Sequence, residues 1–271
     1  MKHLPLLTVA AATLALYFGV IGAGLRLSRR HTSLIPDLGL RRTAWKMPQL
    51  DEVSDGQKRE SIRLGSLLFN ETPVYGSAYV NSRISCTNCH LQGGSAPYAS
   101  PMVGIVGSFP MYSKRAGRPI SLEDRIQECI TRSENGKPLP HDSREMVALT
   151  AYINWLSEPH PNQISFSGRG LEALPEFTPD PAHGAGVYAA QCAGCHGVNG
   201  EGRRPLFPPL WGPRSFNDGA GMNGIEKMAA FVQYNMPHNR KGILSPQDAF
   251  DVAAYIHAQP RPAFNHEYDR Y

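Results

Sequence analysis

The chain has 271 residues, is 41% hydrophobic and 18% charged, and carries a formal net charge of +4. The positive charge is spread along the chain, which excludes a strong polyanion-binding surface and with it nucleic acid as a partner. The length suits two small domains of roughly 100 residues each.

Residues 4–24 hold no charged side chain and are dominated by Ala, Leu, Val and Gly. That run is about long enough to span a bilayer, and no sharp cleavage signal precedes Arg26. Residues 1–27 therefore read as a signal peptide or a retained membrane anchor. Arg26, Arg29 and Arg30 follow at once, so loop charge alone does not set the orientation. Residues 28–50, basic and carrying Pro36 and Pro48, read as a tether.

The first predicted domain is 51–157. Its spacing of Ile62, Leu64, Leu67 and Leu68 predicts a helix over 54–69, followed by a loop over 70–85. Residues 91–119 are rich in Gly, Pro and Ser and read as loops. Ser121 is placed to cap a helix running to Ser133, with Glu123 and Asp124 in its first turn. Met146, Leu149, Ile153 and Leu156 mark an amphipathic helix over 143–156. Residues 158–181 hold repeated prolines and read as a semi-extended linker.

The second predicted domain is 182–262. A short helix leads to residue 192, a Gly/Pro-rich loop covers 197–221, and a helix spans 224–235. Ser245 caps a last helix, with Pro246 at its first position and Asp248 at its third.

Two Cys-x-x-Cys-His sequences stand out: Cys86-Thr-Asn-Cys-His90 and Cys192-Ala-Gly-Cys-His196. In this pattern two thiols add to the vinyl groups of a haem and the adjacent histidine lies under the iron. Cys86, Cys89, Cys192 and Cys195 are thus the predicted attachment points of two covalent haem c groups, with His90 and His196 as their iron ligands. In bacteria such attachment occurs outside the cytoplasmic membrane, which makes residues 31 onward periplasmic.

The sixth ligand decides whether each iron transfers electrons only or reacts. Met236 lies 40 residues after His196, before Pro237, in a segment that favours extended backbone. It is preferred over Met222, in a Gly-rich loop, and Met228, in mid-helix. After His90 no methionine holds that position; Cys129 does, at an offset of 39 residues. The parallel places Cys129 on the first iron as a thiolate, giving a low potential and a nucleophilic sulfur beside a redox centre. The alternative is a buried, inert thiol.

The chain repeats one order: helix, attachment motif, loop, helix, terminal helix. Gly184, Tyr188 and Cys192 are spaced by four, and Gly65 and Phe69 share that spacing, but 17 residues separate Phe69 from Cys86. The first domain thus carries a 13-residue insertion before its haem. The Gly/aromatic pairs resemble the first helix of class I cytochrome c domains, where glycine lets first and last helices cross closely. Trp155 and Tyr255 are the expected aromatics on the terminal helices. The predicted fold is all-α: two class I cytochrome c-like domains joined by a Pro-rich linker, after an N-terminal hydrophobic helix.

Cys86-Thr-Asn-Cys-His90-Leu91, Pro101-Met102, Arg125-Ile126, Cys129, Arg132-Ser133 and Asn135-Gly136 resemble the catalytic domain of the dihaem thiosulfate dehydrogenases, and Asn235-Met236-Pro237 resembles their second domain. The resemblance spans about residues 50–260. It implies coupling of two thiosulfates to tetrathionate, in some members better in reverse, at a His/Cys-ligated haem. It further implies two arginines and a serine beside the cysteine. Arg125, four before Cys129, and Ser133, four after, share a helical face with it, and Arg115 is the expected second arginine. Guanidinium forks would offset the repulsion of two thiosulfate dianions. Some members carry a lysine beside the second-domain methionine that exchanges as ligand; here that place is Asn235.

The predicted partners are small sulfur anions, thiosulfate and tetrathionate. An external redox protein, such as a soluble cytochrome or a high-potential iron-sulfur protein, would take the electrons from the second haem. Two rivals stay open: a non-catalytic dihaem electron carrier, and a haem subunit of a sulfur-oxidising complex.

Overall fold

A computed structural model describes residues 45–158, 166–203 and 205–269. The expected hydrophobic segment 4–24 and the tether up to residue 44 lie outside the described residues. No helix among the described residues is long and apolar enough to cross a membrane.

The described chain is mostly helical. Six helices carry it: α1 (Gly56–Asn70), α2 (Leu122–Glu128), α3 (Arg144–Ser157), α4 (Pro181–Gln191), α5 (Ile225–Asn235) and α6 (Pro246–His257). Side chains cap five of the six, and α5 follows Gly224 without a side-chain cap. Asp55 Oδ1 accepts from the amides of Gln57 and Lys58, at 2.8 and 2.9 Å, so α1 begins two residues later than its apolar pattern suggests. Ser121 Oγ accepts from Asp124 N and Ser143 Oγ from Met146 N, each at 3.2 Å, while Ser245 Oγ accepts from Asp248 N at 3.0 Å. Asp180 caps α4 through the amides of Ala182 and His183.

Two apolar cores are built in parallel. In the first, α1 packs against α3, with Ile62, Leu68 and Phe69 buried against Leu149, Tyr152 and Leu156. In the second, α6 packs on both α4 and α5, burying Tyr188, Phe250, Val252 and Ile256. Each fully buried large apolar side chain contributes roughly 1.5–3 kcal/mol.

The glycines expected at the helix crossings are there. A Cβ at Gly65 would lie 2.0 Å from the Ala148 carbonyl oxygen, and one at Gly184 would lie 2.0 Å from that of Asp251. The aromatic partners need one correction. Phe69 meets Tyr152, with centroids 5.4 Å apart, as Tyr188 meets Tyr255 at 5.5 Å. Tyr152 stands four residues past Ala148, as Tyr255 stands four past Asp251. Tyr152, not Trp155, is therefore the counterpart of Tyr255; Trp155 lies against Tyr152 at 5.9 Å.

Three other stretches depart from expectation. Residues 70–85 include a helical turn, Thr72–Tyr75, and send Ile84 into the second core. Within residues 91–119, expected as loops, the chain forms a hairpin that ends at Ile120: β1 (Met111–Ser113) pairs antiparallel with β2 (Arg118–Ile120), Met111 opposite Ile120. Its three-residue strands are too short for a period-two pattern to be read. Residues 166–180, expected as linker, are held along the protein. Gly168 O and Gly170 O accept from Tyr98 N and Ser100 N, at 2.6 and 2.9 Å.

Candidate functional site

One apolar cavity gathers most of the residues that the sequence singles out in its first half. Cys86, Cys89, His90, Arg125, Cys129 and Ser133 all line it, against walls that include Phe69, Met102, Phe109 and Ile153. His90 Nδ1 lies 2.7 Å from the Ser100 carbonyl oxygen. With Nδ1–H donating there, Nε2 is left with its lone pair, the arrangement of an oriented metal-binding imidazole. Burial pushes His90 down to about 4, so the neutral, ligating form prevails. His196 repeats the device, with Nδ1 2.9 Å from Pro208 O and a pKa lowered by burial. None of the five cysteines is paired in a disulfide. Two motif thiols beside an oriented, neutral imidazole in an apolar cavity are the donor set that a covalent haem requires.

Cys129 sits where α2 passes into a π-turn, Cys129–Ser133. The turn is closed by Glu134 N donating to Cys129 O at 2.9 Å. Although the backbone widens there, Ser133 still reaches the wall that holds Arg125 and Cys129. Burial raises the Cys129 thiol, Arg125 pulls it down, Glu128 and Glu134 push it up, and Arg115 pulls it down again. A thiol that coordinates a metal is deprotonated outright, so iron would supply what burial withholds.

Arg125 carries its own counter-ion. Its Nη1 lies 2.5 Å from Glu128 Oε2, and Glu128 is buried. The Arg125 pKa is raised, first by the charge of Cys129. Arg115 is placed differently from the expectation. It lies in the exposed turn of the β1–β2 hairpin and is not on the cavity wall. Its charge still acts on Cys129. Its own pKa is lowered, first by partial loss of solvent around its charge and then by the like charges of Arg132 and Arg125.

In the second half, Cys192 and Met236 pack on the second core, and His196 lies near the Phe207 ring at 6.3 Å. Met236 follows α5 with extended backbone, as expected before Pro237. Met222 and Met236 also meet the small apolar cluster of Ala96, Ala99 and Phe231. Met228 is buried core.

Sequence reasoning missed several groups. Glu134 is buried on the cavity wall, accepts from Ser82 Oγ at 3.1 Å, and is raised by burial to about 8. Arg132 is buried, lies 3.7 Å over the Phe264 ring, and donates to Asp269 Oδ1 at 2.9 Å. Ser100 and Pro208 act through backbone carbonyls, which no side-chain pattern reveals. Glu128 could have been noticed as a charge on the predicted face of Arg125, three residues away.

The chain resembles known proteins along most of its length. A family model described as SoxA/TsdA, cytochrome c domain, matches residues 74–161, and one described as cytochrome c oxidase, cbb3-type, subunit III, matches residues 179–256. Thiosulfate dehydrogenase from Allochromatium vinosum is 41% identical over 231 residues, covering 82% of this chain and 86% of the relative. Thiosulfate dehydrogenase from Thiomonas intermedia is 39% identical over 221 residues, covering 79% and 70%. Among solved structures, thiosulfate dehydrogenase (TsdBA) from Marichromatium purpuratum superposes with a TM-score of 0.76 at 37% identity, covering 81% of this chain. This chain spans 50% of the length of that one.

Proposed function

The chain belongs to the thiosulfate dehydrogenase family, and from that premise we propose how its residues carry out the reaction. It is a dihaem c-type cytochrome and an oxidoreductase that joins two thiosulfates into tetrathionate. We assign it to the periplasm, where c-type haem is attached, with residues 4–24 as export signal or anchor. We divide it into two class I cytochrome c-like domains, 51–157 and 182–262, joined by residues 158–181. The paired cores, α1 on α3 and α4 on α6, support that division.

Cys86, Cys89, Cys192 and Cys195 would hold the two haems, His90 and Cys129 would ligate the first iron, and His196 and Met236 the second. When bound, the haem pair supplies one-electron acceptance. The chain's own residues do the rest. Arg125 and Ser133 on the cavity wall draw thiosulfate to Cys129 through its sulfonate oxygens, and the charge of Arg115 adds to the attraction. A bond forms between the Cys129 sulfur and the terminal sulfur of thiosulfate, giving a cysteine S-thiosulfonate and releasing two electrons. The terminal sulfur of a second thiosulfate attacks that adduct at the sulfur outside the cysteine. The Cys129–sulfur bond breaks, Cys129 leaves as thiolate, and tetrathionate is released, as in thiol–disulfide exchange. An external redox protein takes the electrons onward.

The observation that carries this reading is the meeting of Cys129, Arg125 and Ser133 with the first attachment motif on one cavity. The test is thiosulfate oxidation with ferricyanide as acceptor, together with electron paramagnetic resonance of the oxidised protein. Cys129→Ala should abolish turnover and the low-spin thiolate signal. Full turnover in Cys129→Ala would refute the assignment, and two ordinary His/Met spectra in the unaltered protein would favour the electron carrier.

A further inference from the structure

One part of the seam between the two halves joins a turn, residues 97–100, to the end of α5. Ala96 and Ala99 are buried against Phe231. The Tyr98 ring stacks on Tyr234, with centroids 5.4 Å apart and planes 26° apart. Asn235, the last residue of α5 and 1% exposed, donates through Nδ2 to the Tyr98 carbonyl at 2.9 Å and to Phe231 O at 3.1 Å. Two residues beyond Tyr98, the Ser100 carbonyl faces His90 Nδ1.

The turn is held under strain. Tyr98 has φ of +59° and Ser100 of +46°, in the left-handed region that side chains with a Cβ disfavour. Such a conformation persists only where its surroundings over-determine it. Here the amides of Tyr98 and Ser100 are tied to Gly168 and Gly170 on one side, and the Tyr98 carbonyl to Asn235 on the other. Both hydrogens of the buried Asn235 amide are engaged, on the Tyr98 and Phe231 carbonyls, so neither bond is freely exchanged.

We propose that Asn235 is a positioning residue that couples the two haem sites, its buried side chain tying the Met236 segment to the turn whose carbonyl orients His90. The inference rests on the reading of His90 and Met236 as iron ligands. Release of Asn235 frees Met236, the next residue, and removes one anchor of the turn whose Ser100 carbonyl sets the His90 ring. One substitution on the second-haem side should therefore be felt at both haems.

The experiment uses the full dihaem protein and four samples: unaltered, Met236→Ala, Asn235→Ala and Tyr98→Gly. The readouts are the near-infrared band of methionine on ferric iron, the reduction potential of each haem, and the electron paramagnetic resonance of the first haem. Asn235→Ala should weaken the methionine band and lower the second potential, and it should also shift the first-haem signal. Tyr98→Gly keeps the carbonyl and accepts the positive φ but loses the ring stack, so it should shift the same signals less. If Met236→Ala keeps the band, the ligand assignment itself fails. If Met236→Ala loses the band while Asn235→Ala leaves band, potentials and first-haem signal unchanged, the coupling is overturned. Should Asn235→Ala not fold, Tyr98→Gly decides, and unchanged signals at both haems overturn the proposal.

Discussion

The Arg125 guanidinium donates to the Glu128 carboxylate at 2.5 Å, and Glu128 is the residue immediately before Cys129. The cation that we assign to substrate binding is thus partly neutralised by a buried anion of its own. The pair fixes the direction of the guanidinium, and it also lowers the attraction of the site for a dianion. A site that must release tetrathionate gains from that balance, because too much positive charge would hold the product.

Replacing Glu128 by Gln keeps the shape and removes the charge. The KM for thiosulfate should fall about fivefold, corresponding to about 1 kcal/mol of anion affinity gained. Product inhibition by tetrathionate should strengthen in parallel. Steady-state rates with and without added tetrathionate check both; an unchanged KM would show that Glu128 only braces the helix.

Arg125→Lys keeps the charge but loses the planar fork. Lysine cannot bind a sulfonate through two parallel hydrogen bonds, so KM should rise about tenfold, and Arg125→Ala should cost more. The haem spectra should stay unchanged in both variants, because Arg125 is not an iron ligand in our assignment. Spectra recorded beside the kinetics separate loss of binding from loss of the site.

The two helix crossings predict a sharp contrast among glycines. Gly65→Ala and Gly184→Ala would each drive a methyl to within 2.0 Å of a backbone carbonyl oxygen. Each should destabilise the protein by roughly 2–4 kcal/mol. Gly186, in α4 two residues from Gly184, has nothing within 4 Å of an added Cβ. Gly186→Ala should stabilise by about 0.5–1 kcal/mol through helix propensity. Thermal melts of the three variants test the contrast directly.

Asp251 gives a pH dependence with a definite sign. Burial by itself would raise its carboxyl pKa. Hydrogen bonds from Asp180 N at 2.7 Å, Gln247 Nε2 at 2.7 Å and His183 Nδ1 at 2.8 Å outweigh burial, and the folded-state pKa is lowered. Its stabilisation is therefore present above the ordinary carboxyl pKa of about 4 and is lost as pH falls through the lower folded-state value. Asp251→Asn should cost about 1–3 kcal/mol at neutral pH and flatten the acid limb of the stability curve. Melting temperatures of both proteins across the acid range would show a parallel shift, without flattening, if Asp251 acted only by packing.

Much of this architecture was legible in the chain because it is local. An attachment motif spans five residues, a cap acts on an amide three residues away, and an amphipathic stripe repeats every turn. Hence Ser121, Ser143 and Ser245 stand at helix starts, and Gly65 and Gly184 stand at crossings. The offsets of Cys129 and Met236 from their histidines could be compared because the two halves repeat one order of elements. The error over Trp155 arose within a single helix. Both aromatics lie on its buried side, and only the register of α3 against Gly65 selects Tyr152.

The sequence by itself singled out the two attachment motifs, a sulfur at matching spacing from each histidine, and most of the helix starts. The tertiary structure alone decided how polar groups far apart in the chain are satisfied. It set His90 on the Ser100 carbonyl, buried Glu134 on the cavity wall, put Arg132 against Asp269, and tied Asn235 to Tyr98. It also paired Arg125 with Glu128, a contact that helical spacing permits but does not require. The reason is physical: a buried donor must find an acceptor, and which one it finds depends on segments that meet only when both cores have formed.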